Sequence, residues 1–310
     1  MRNCWKWLLT LGVAAIASTA IVFIRRNSEP RYGGKPLSEW VLASSADLMS
    51  AESGENIDHA LRQIGTNGIP YFLKWISDET TPSRFENRVD AAAAWLNEKL
   101  QTNFEPRARL RKHLKLPSVY AIEALGENAA FAVPGLGQIL EGTNGSDPKF
   151  SAAEVLGRLG PIGLPTLARA LTNSNPAVRG AAVFGLRFSG TNAEPFIPKL
   201  VKLLDDDPKV QRSAFVCLSY LQLRSDIVIP EMITRLESGN SSEVDGAAHV
   251  LRAYGPIARQ ALPALQAARE KAKASGDEKI YNVLFSSMID IDPNTKATPP
   301  KTNAPAVDPP

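Results

Sequence analysis

Apolar residues recur along this chain in a frame marked by proline. Pro70, Pro134, Pro165, Pro198 and Pro230 each begin the pattern Pro-x-apolar-x-x-x-apolar, filled by Phe72 and Ile76, Leu136 and Leu140, Leu167 and Leu171, Leu200 and Leu204, and Met232 and Leu236. Residues four apart share one face of a helix. Proline suits a first helical turn, where its missing N–H has no intrahelical partner to lose. Pro263 opens a last copy that keeps Leu265 but carries Arg269 at the second place, which predicts a face meeting water as the array ends. Successive prolines lie 64, 31, 33, 32 and 33 residues apart. The first gap is two periods, so the spacing predicts one repeat that has lost its marker between Pro70 and Pro134.

A second helix follows in each copy. Asp147-Pro148, Asn175-Pro176 and Asp207-Pro208 place a capping side chain before a proline at the first helical position. Phe150, Val178 and Val210 then supply an apolar anchor, followed by Ala152-Ala153, Ala181-Ala182 or Ala214, and by Leu156, Leu186 or Leu218. Val119, Ala121 and Leu125, and Val244, Ala247-Ala248 and Leu251, fit the same frame. Small alanines let paired helices approach closely, and Gly126, Gly160 and Gly255 end the second helix by accepting positive φ. The pattern predicts an all-α solenoid of antiparallel helix pairs, period about 32 and about seven units, over residues 57–290.

Flanking segments break the pattern. Residues 78–116 read as a degenerate repeat: a Thr/Pro/Ser-rich loop over 78–87, a helix around Ala91–Leu96, and a basic helix 107–116 whose Arg107, Arg109, Arg111, Lys112 and Lys115 form either a solvated face or an acidic-partner and lipid-headgroup contact. Residues 25–56 are expected to form a linker and a capping helix, with Ser38 as N-cap and Trp40, Val41 and Leu48 covering the first repeat. Residues 291–310 carry six prolines among polar residues, which predicts a disordered tail. Its Pro-Pro pairs at 299–300 and 309–310 suit a spacer, or a ligand for a domain that reads polyproline.

The amino terminus adds a membrane element. After a basic flank, 1–6, residues 7–24 are uncharged and are closed by Arg25-Arg26. As a helix this run would reach roughly 27 Å, close to the ~30 Å of a bilayer core. A cleaved signal peptide would leave Ile21–Ile24 on the mature end, so a single transmembrane anchor is the expected reading. Arg2 and Lys6 on one side and Arg25, Arg26, Arg31 and Lys35 on the other leave the positive-inside rule undecided. The expectation leans to a cell-membrane protein with its solenoid on the extracytoplasmic, periplasmic side.

Ala124-Leu125-Gly126 and Val155-Leu156-Gly157, each followed by a short gap and Pro-x-Leu-x-x-x-Leu, together with Asp207-Pro208-Lys209-Val210, resemble HEAT repeats. The short period is closest to the HEAT-like variant of phycobilin lyases, since ordinary HEAT units run about 40–47 residues. The resemblance covers roughly residues 57–290. It implies a right-handed superhelical stack, armadillo-like in architecture, that binds other proteins along a curved face. The arginine that often follows valine in the family's second helix is present as Arg179 but replaced by Ser151, Gln211 and Asp245, which argues against a functional arginine ladder. Tyr32-Gly33-Gly34-Lys35-Pro36-Leu37-Ser38-Glu39-Trp40 resembles a segment of N-terminally anchored HEAT-like proteins in bacteria such as the Verrucomicrobia.

Composition narrows the function. With 35 Lys+Arg against 32 Asp+Glu, the net charge of +3 is too small for a chain whose chief partner is a nucleic-acid backbone, so none is expected. Two cysteines, Cys4 and Cys217, exclude a disulfide framework and a thiolate metal site. His59, His113 and His249 are scattered, no nucleophile elbow or phosphate loop occurs, and Gly157, Gly160 and Gly163 fall in an inter-helix turn. Asp205-Asp206-Asp207 has the chemistry to bind a cation, but Asp207 is already expected to cap a helix and no further oxygen ligands are specified nearby. No catalytic, cofactor-binding or metal-binding residue is therefore assigned. The expected function is a membrane-anchored scaffold that binds another protein along the solenoid and the bilayer through residues 7–24. The alternatives are a bilin-lyase-type lyase or isomerase, needing a pocket of acids and aromatics, and a helical-repeat nucleic-acid binder.

Overall fold

A computed structural model of the 310-residue chain describes residues 29–46, 51–77, 91, 95, 107–143, 145–238 and 240–295. The expected span 7–24, its flank 1–6, the loop 78–87 and the tail from 296 onward lie outside the described residues. Among the described residues no helix is long and apolar enough to cross a membrane. They form an all-α repeat fold with one small exception, a hairpin of β1 (Arg31–Tyr32) and β2 (Lys35–Pro36) turning through Gly33 and Gly34. The chain divides into two compact units, residues 1–163 and 164–310.

In the first unit, α1 (Leu37–Ala46) and α2 (Ala51–Ile64) precede the pair α3 (Ile69–Ser77) and α4 (Arg107–Ala124), then the pair α5 (Val133–Glu141) and α6 (Ser146–Arg158). Ile57, Ala60, Leu61 and Ile64 of α2 are buried at helical spacing, as an amphipathic helix requires. Because α3 packs directly on α4, residues 107–116 are not a separate degenerate unit. They begin the second helix of α3's own pair, which runs through Pro117. The hydroxyl of Ser118 donates to Leu114 O at 2.5 Å beside that proline. Of the stretch between, only Ala91 and Trp95 are described, both helical and exposed.

In the second unit, α7 (Leu164–Ala170) pairs with α8 (Pro176–Leu186), α9 (Ile197–Lys202) with α10 (Pro208–Leu221), α11 (Ser225–Ser238) with α12 (Ser241–Tyr254), and α13 (Leu262–Ser275) with α14 (Glu278–Ile291). Leu167, Leu186, Leu200, Leu204, Leu218, Leu251, Leu265 and Leu284 are fully buried between them. Each such side chain contributes roughly 1.5–3 kcal/mol on leaving water. Asn175 and Asp207 cap α8 and α10 as their prolines predict, accepting from Ala177 N and Lys209 N at 2.9 Å each. Asn240 and Asp277 cap α12 and α14 in the same way without a proline to announce them.

A 3-10 turn joins each second helix to the next first helix at five junctions. It opens on Gly65, Gly126, Gly160, Gly190 or Gly255, with φ between +53° and +60°, a region costly for a side chain. The marker proline follows that glycine by five or eight residues, a difference of one 3-10 turn. Three residues can thus be added without rotating the buried face, and Ala129 with Ala132, and Ala258 with Ala261, occupy it. The junction before α11 lacks the glycine: Gln222 and Arg224 adopt φ of +51°, the helix starts at Ser225, and Pro230 sits inside it rather than in its first turn.

Three further expectations are corrected. Helix α6 begins at Ser146, so Asp147 does not cap it, and Gly145 stands at the N-cap. Ser38 is not the N-cap of α1 either, because the helix starts at Leu37, and the Ser38 N–H donates to Glu29 Oε2 at 3.0 Å. Arg269 does not meet water: it is 3% exposed, covered by Tyr281 and Phe285 of α14, and its Nη2 donates to Tyr281 OH at 2.6 Å.

Candidate interaction surface

With the capping residue of each second helix as position 0, Gly145, Asn175 and Asp207 bring α6, α8 and α10 into one register. Positions 7 and 11 are buried in all three, as Ala152 and Leu156, Ala182 and Leu186, and Ala214 and Leu218. Position 4 holds Lys149, Arg179 and Gln211, and the burial pattern of α4 puts Lys115 there too. The shift of α6 by two residues means that Lys149, and not Ser151, matches Arg179. Long polar side chains thus recur at position 4 in each unit, only one of them an arginine.

Lys149, Arg179 and Gln211 each donate to backbone carbonyls at the end of a helix or turn. Lys149 Nζ donates to Leu140 O at 3.2 Å and to Gly142 O, and burial lowers its pKa. Lys115, 7% exposed and no part of a solvated face, lies 3.5 Å from Asp147 Oδ2. Gln211 Nε2 donates to Leu204 O at 2.7 Å. Arg179 donates to Asn173 O at 2.8 Å and to Ser174 O at 3.0 Å, and grips both carboxylate oxygens of Asp206 in the following turn. That bidentate hydrogen bond raises the Arg179 pKa and holds the Asp206 carboxyl below the usual carboxylate range. Arg235, 8% exposed, binds Asp205 at 2.7 Å, Glu231 at 2.8 Å and Leu204 O at 3.3 Å. The triple acid is thus divided among Arg235, Arg179 and the α10 cap.

The outward positions 9, 12 and 13 form a different surface. On α8 with the turn that follows it, and on α10, they are Phe184, Arg187, Phe188, Val216, Ser219 and Tyr220. The Arg187 guanidinium stands 4.2 Å from the Phe184 ring centroid, 4.6 Å from Phe188 and 4.8 Å from Tyr220. Tyr220 is 65% exposed, and Val216 is exposed beside it. Arg187 Nε is buried without a hydrogen-bond partner, and no carboxylate lies within ion-pair distance of Arg187 among the described residues. Beneath lies Cys217, its thiol pushed up to about 12 by burial despite the opposing pull of the Arg187 charge. In α12 the same positions hold His249, Arg252 and Ala253, with Arg252 Nε 2.5 Å from Asp290 Oδ2.

Residues 133–219 match the family model for HEAT repeats. The match runs from the start of α5 to Ser219 in α10 and covers the Arg187 ridge apart from Tyr220. HEAT repeats commonly mediate protein–protein interaction, which agrees with a protein partner for these helices. No curated protein matches the chain.

The residues singled out by sequence separate widely. His59 Nε2 lies 3.1 Å from Tyr32 OH, His249 Nδ1 lies 2.8 Å from Asp245 O, and the His113 side chain is outside the described residues. A shallow groove of about 410 Å³ between α3 and α5 is lined by Pro70, Leu73, Lys74, Ser77, Gly135, Gln138 and Ile139, without an acid or an aromatic ring. Sequence reasoning passed over the Arg187 ridge. Its available signal was the i,i+4 pair Phe184 and Phe188, out of phase with the buried Ala182 and Leu186.

Proposed function

We propose that this protein is a membrane-anchored HEAT-repeat scaffold, a right-handed superhelical stack that binds another protein along the outward face of its second helices and performs no catalysis itself. The ridge of Phe184, Arg187, Phe188, Val216 and Tyr220 carries this reading: Val216 and Tyr220 stand exposed, with half-buried Phe184 and Phe188, around a cation that no carboxylate neutralises among the described residues. Aromatic residues and arginine are the side chains that most often anchor protein interfaces. The commitment of Asp205, Asp206 and Asp207 to Arg235, Arg179 and a helix cap supports a structural role for that acidic cluster. Residues 7–24 hold the scaffold in the cell membrane, with the repeats on the extracytoplasmic side.

A photoreactive p-benzoylphenylalanine placed at Val216, and separately at Lys202 on α9, tests the reading in intact cells. Irradiation is expected to give an adduct with another protein from position 216 and none from 202. Adducts from neither position would overturn it. Labelling of Thr302→Cys by an impermeant thiol reagent in intact cells checks the side of the membrane, and protection until lysis would place the repeats in the cytoplasm.

A further inference from the structure

The second helices of the carboxy-terminal unit run in the same direction, as their side-chain pairs show. Between α12 and α14, Ser241 meets Asp277 at 3.2 Å and Lys279 meets Asp245 at 3.3 Å near the amino ends, while Arg252 meets Asp290 at 2.5 Å near the carboxy ends. Between α10 and α12, the Tyr254 hydroxyl donates to Leu223 O at 2.6 Å beyond the carboxy end of α10. Between α8 and α10, Arg179 meets Asp206 at the start and Arg187 covers Tyr220 at the finish. The carboxy end of α14 is thus on the same edge as the Arg187 ridge, and the chain leaves that edge after Thr295.

The segment that follows has the chemistry the ridge lacks. Residues 304–310 read Ala-Pro-Ala-Val-Asp-Pro-Pro, with Asp308 the only acid beyond Thr295. Proline-rich chains bind aromatic surfaces in an extended form whose ordering cost is already low. A carboxylate beside Arg187 would pair with the Nη groups of that guanidinium, which meets no carboxylate among the described residues, while Nε stays shut off from solvent. The reach suffices: three helix spacings from α14 to α8 are about 30 Å, and the 13 residues from Thr295 to Asp308 extend about 40 Å at ~3.1 Å per residue. Lys296 and Lys301 precede this segment in the sequence, seven or more residues before Asp308.

We propose that residues 304–310 of this chain occupy the ridge, with Asp308 paired to Arg187 and the flanking prolines against Phe184, Phe188 and Tyr220, so that an external protein partner must displace them. The proposal rests on the reading of the ridge as a docking surface. Tethering holds such a segment at a millimolar-scale effective concentration, enough for a weak contact to be occupied yet released to a competitor.

The test uses the purified full-length chain carrying p-benzoylphenylalanine at Val216, which leaves the rings and Arg187 in place. Irradiation is expected to yield an intramolecular adduct whose tryptic fragment is 302–310. Asp308→Arg, which cannot disturb the helices, is expected to lower the yield about ten-fold, the factor a difference of ~1.4 kcal/mol carries, and Arg187→Glu with Asp308→Arg is expected to restore it. No adduct to 302–310, an adduct between two copies of the chain, or a yield indifferent to Asp308→Arg overturns the proposal. If the same position captures another protein in cells while the purified chain gives no tail adduct, the docking reading stands and the tail proposal alone fails.

Discussion

Arg158 and Arg187 make the same contact in two parts of the molecule, and only one of them is electrostatically closed. Arg158 at position 13 of α6 lies 4.8 Å over the Tyr120 ring of α4, and Arg187 at position 12, the C-cap of α8, lies 4.8 Å over Tyr220 of α10. Around Arg158, Glu154 approaches to 3.0 Å and Glu123 to 3.8 Å, so cation, ring and carboxylates form a complete surface cluster. Around Arg187 the carboxylates are replaced by Phe184 and Phe188. A cation over an aromatic face is worth about 0.5–1 kcal/mol at exposed sites, too little to explain an unneutralised guanidinium by stability alone. The difference teaches that the repeat frame dictates where outward side chains stand, while the residues placed there decide whether the surface is finished or waits for a ligand.

The largest expected effect comes from removing the platform under one cluster. Leu167 is fully buried in α7, the helix on which α8 packs. Leu167→Asp buries a carboxylate without a partner and is expected to cost on the order of 4 kcal/mol in urea unfolding. Unchanged stability would mean that the repeat register is wrong. A smaller disturbance separates α10 from α12. A Cβ on Gly246 would stand 2.6 Å from the buried Phe215 ring, so Gly246→Ala is expected to cost about 1–3 kcal/mol by overpacking. It also displaces the helix carrying Tyr220, which would weaken the Arg187 contact and leave Arg158 untouched.

Acid sharpens the comparison at position 4. The Arg179 hydrogen bond holds the folded-state pKa of Asp206 below its unfolded value of about 3.9. Its contribution to stability is therefore fully present above that unfolded value and is lost as pH falls through the lower, folded one. Urea midpoints measured from neutral pH downward are expected to drop below about pH 4, and to drop less in Asp206→Asn, which has already lost the charge. Asp147, which faces Lys115 in the other unit, has a side chain 67% exposed. Asp147→Asn is expected to cost less at neutral pH, below about 1 kcal/mol, because an exposed ion pair is screened.

The period was readable because proline and leucine mark positions that the helices and core impose, and 3-10 turns absorb changes in spacing three residues at a time. The register of α6 was not, since Asp147-Pro148 imitates Asn175-Pro176 while the helix starts one residue before the aspartate. Burial of Arg269 depended on Tyr281 and Phe285, which belong to the next helix and reach it only once the pair has formed. The hairpin at 31–36 was missed because four paired residues around Gly33-Gly34 leave no period to detect. The Arg187 ridge escaped for a related reason: outward positions carry no packing constraint, so a side chain there looks like any exposed one until its neighbours are known.

The smallest expected effect is the one that decides between the two clusters. Arg158→Leu removes a cation–π contact and strands Glu123 and Glu154, and is expected to cost up to about 1 kcal/mol, less in high salt. Arg187→Leu removes contacts to three rings but also removes a buried Nε without an acceptor and adds apolar surface against phenylalanines, so the two changes nearly offset. In a chain that also carries Asp308→Arg, where no tail pair is left to lose, its urea midpoint is expected to stay within about 0.5 kcal/mol of the same chain with Arg187. If Arg187→Leu proved the more destabilising of the two, the guanidinium would be a strut holding Phe184, Phe188 and Tyr220 together. A near-neutral result, joined to loss of the position-216 adduct, instead makes Arg187 a residue kept for what it binds.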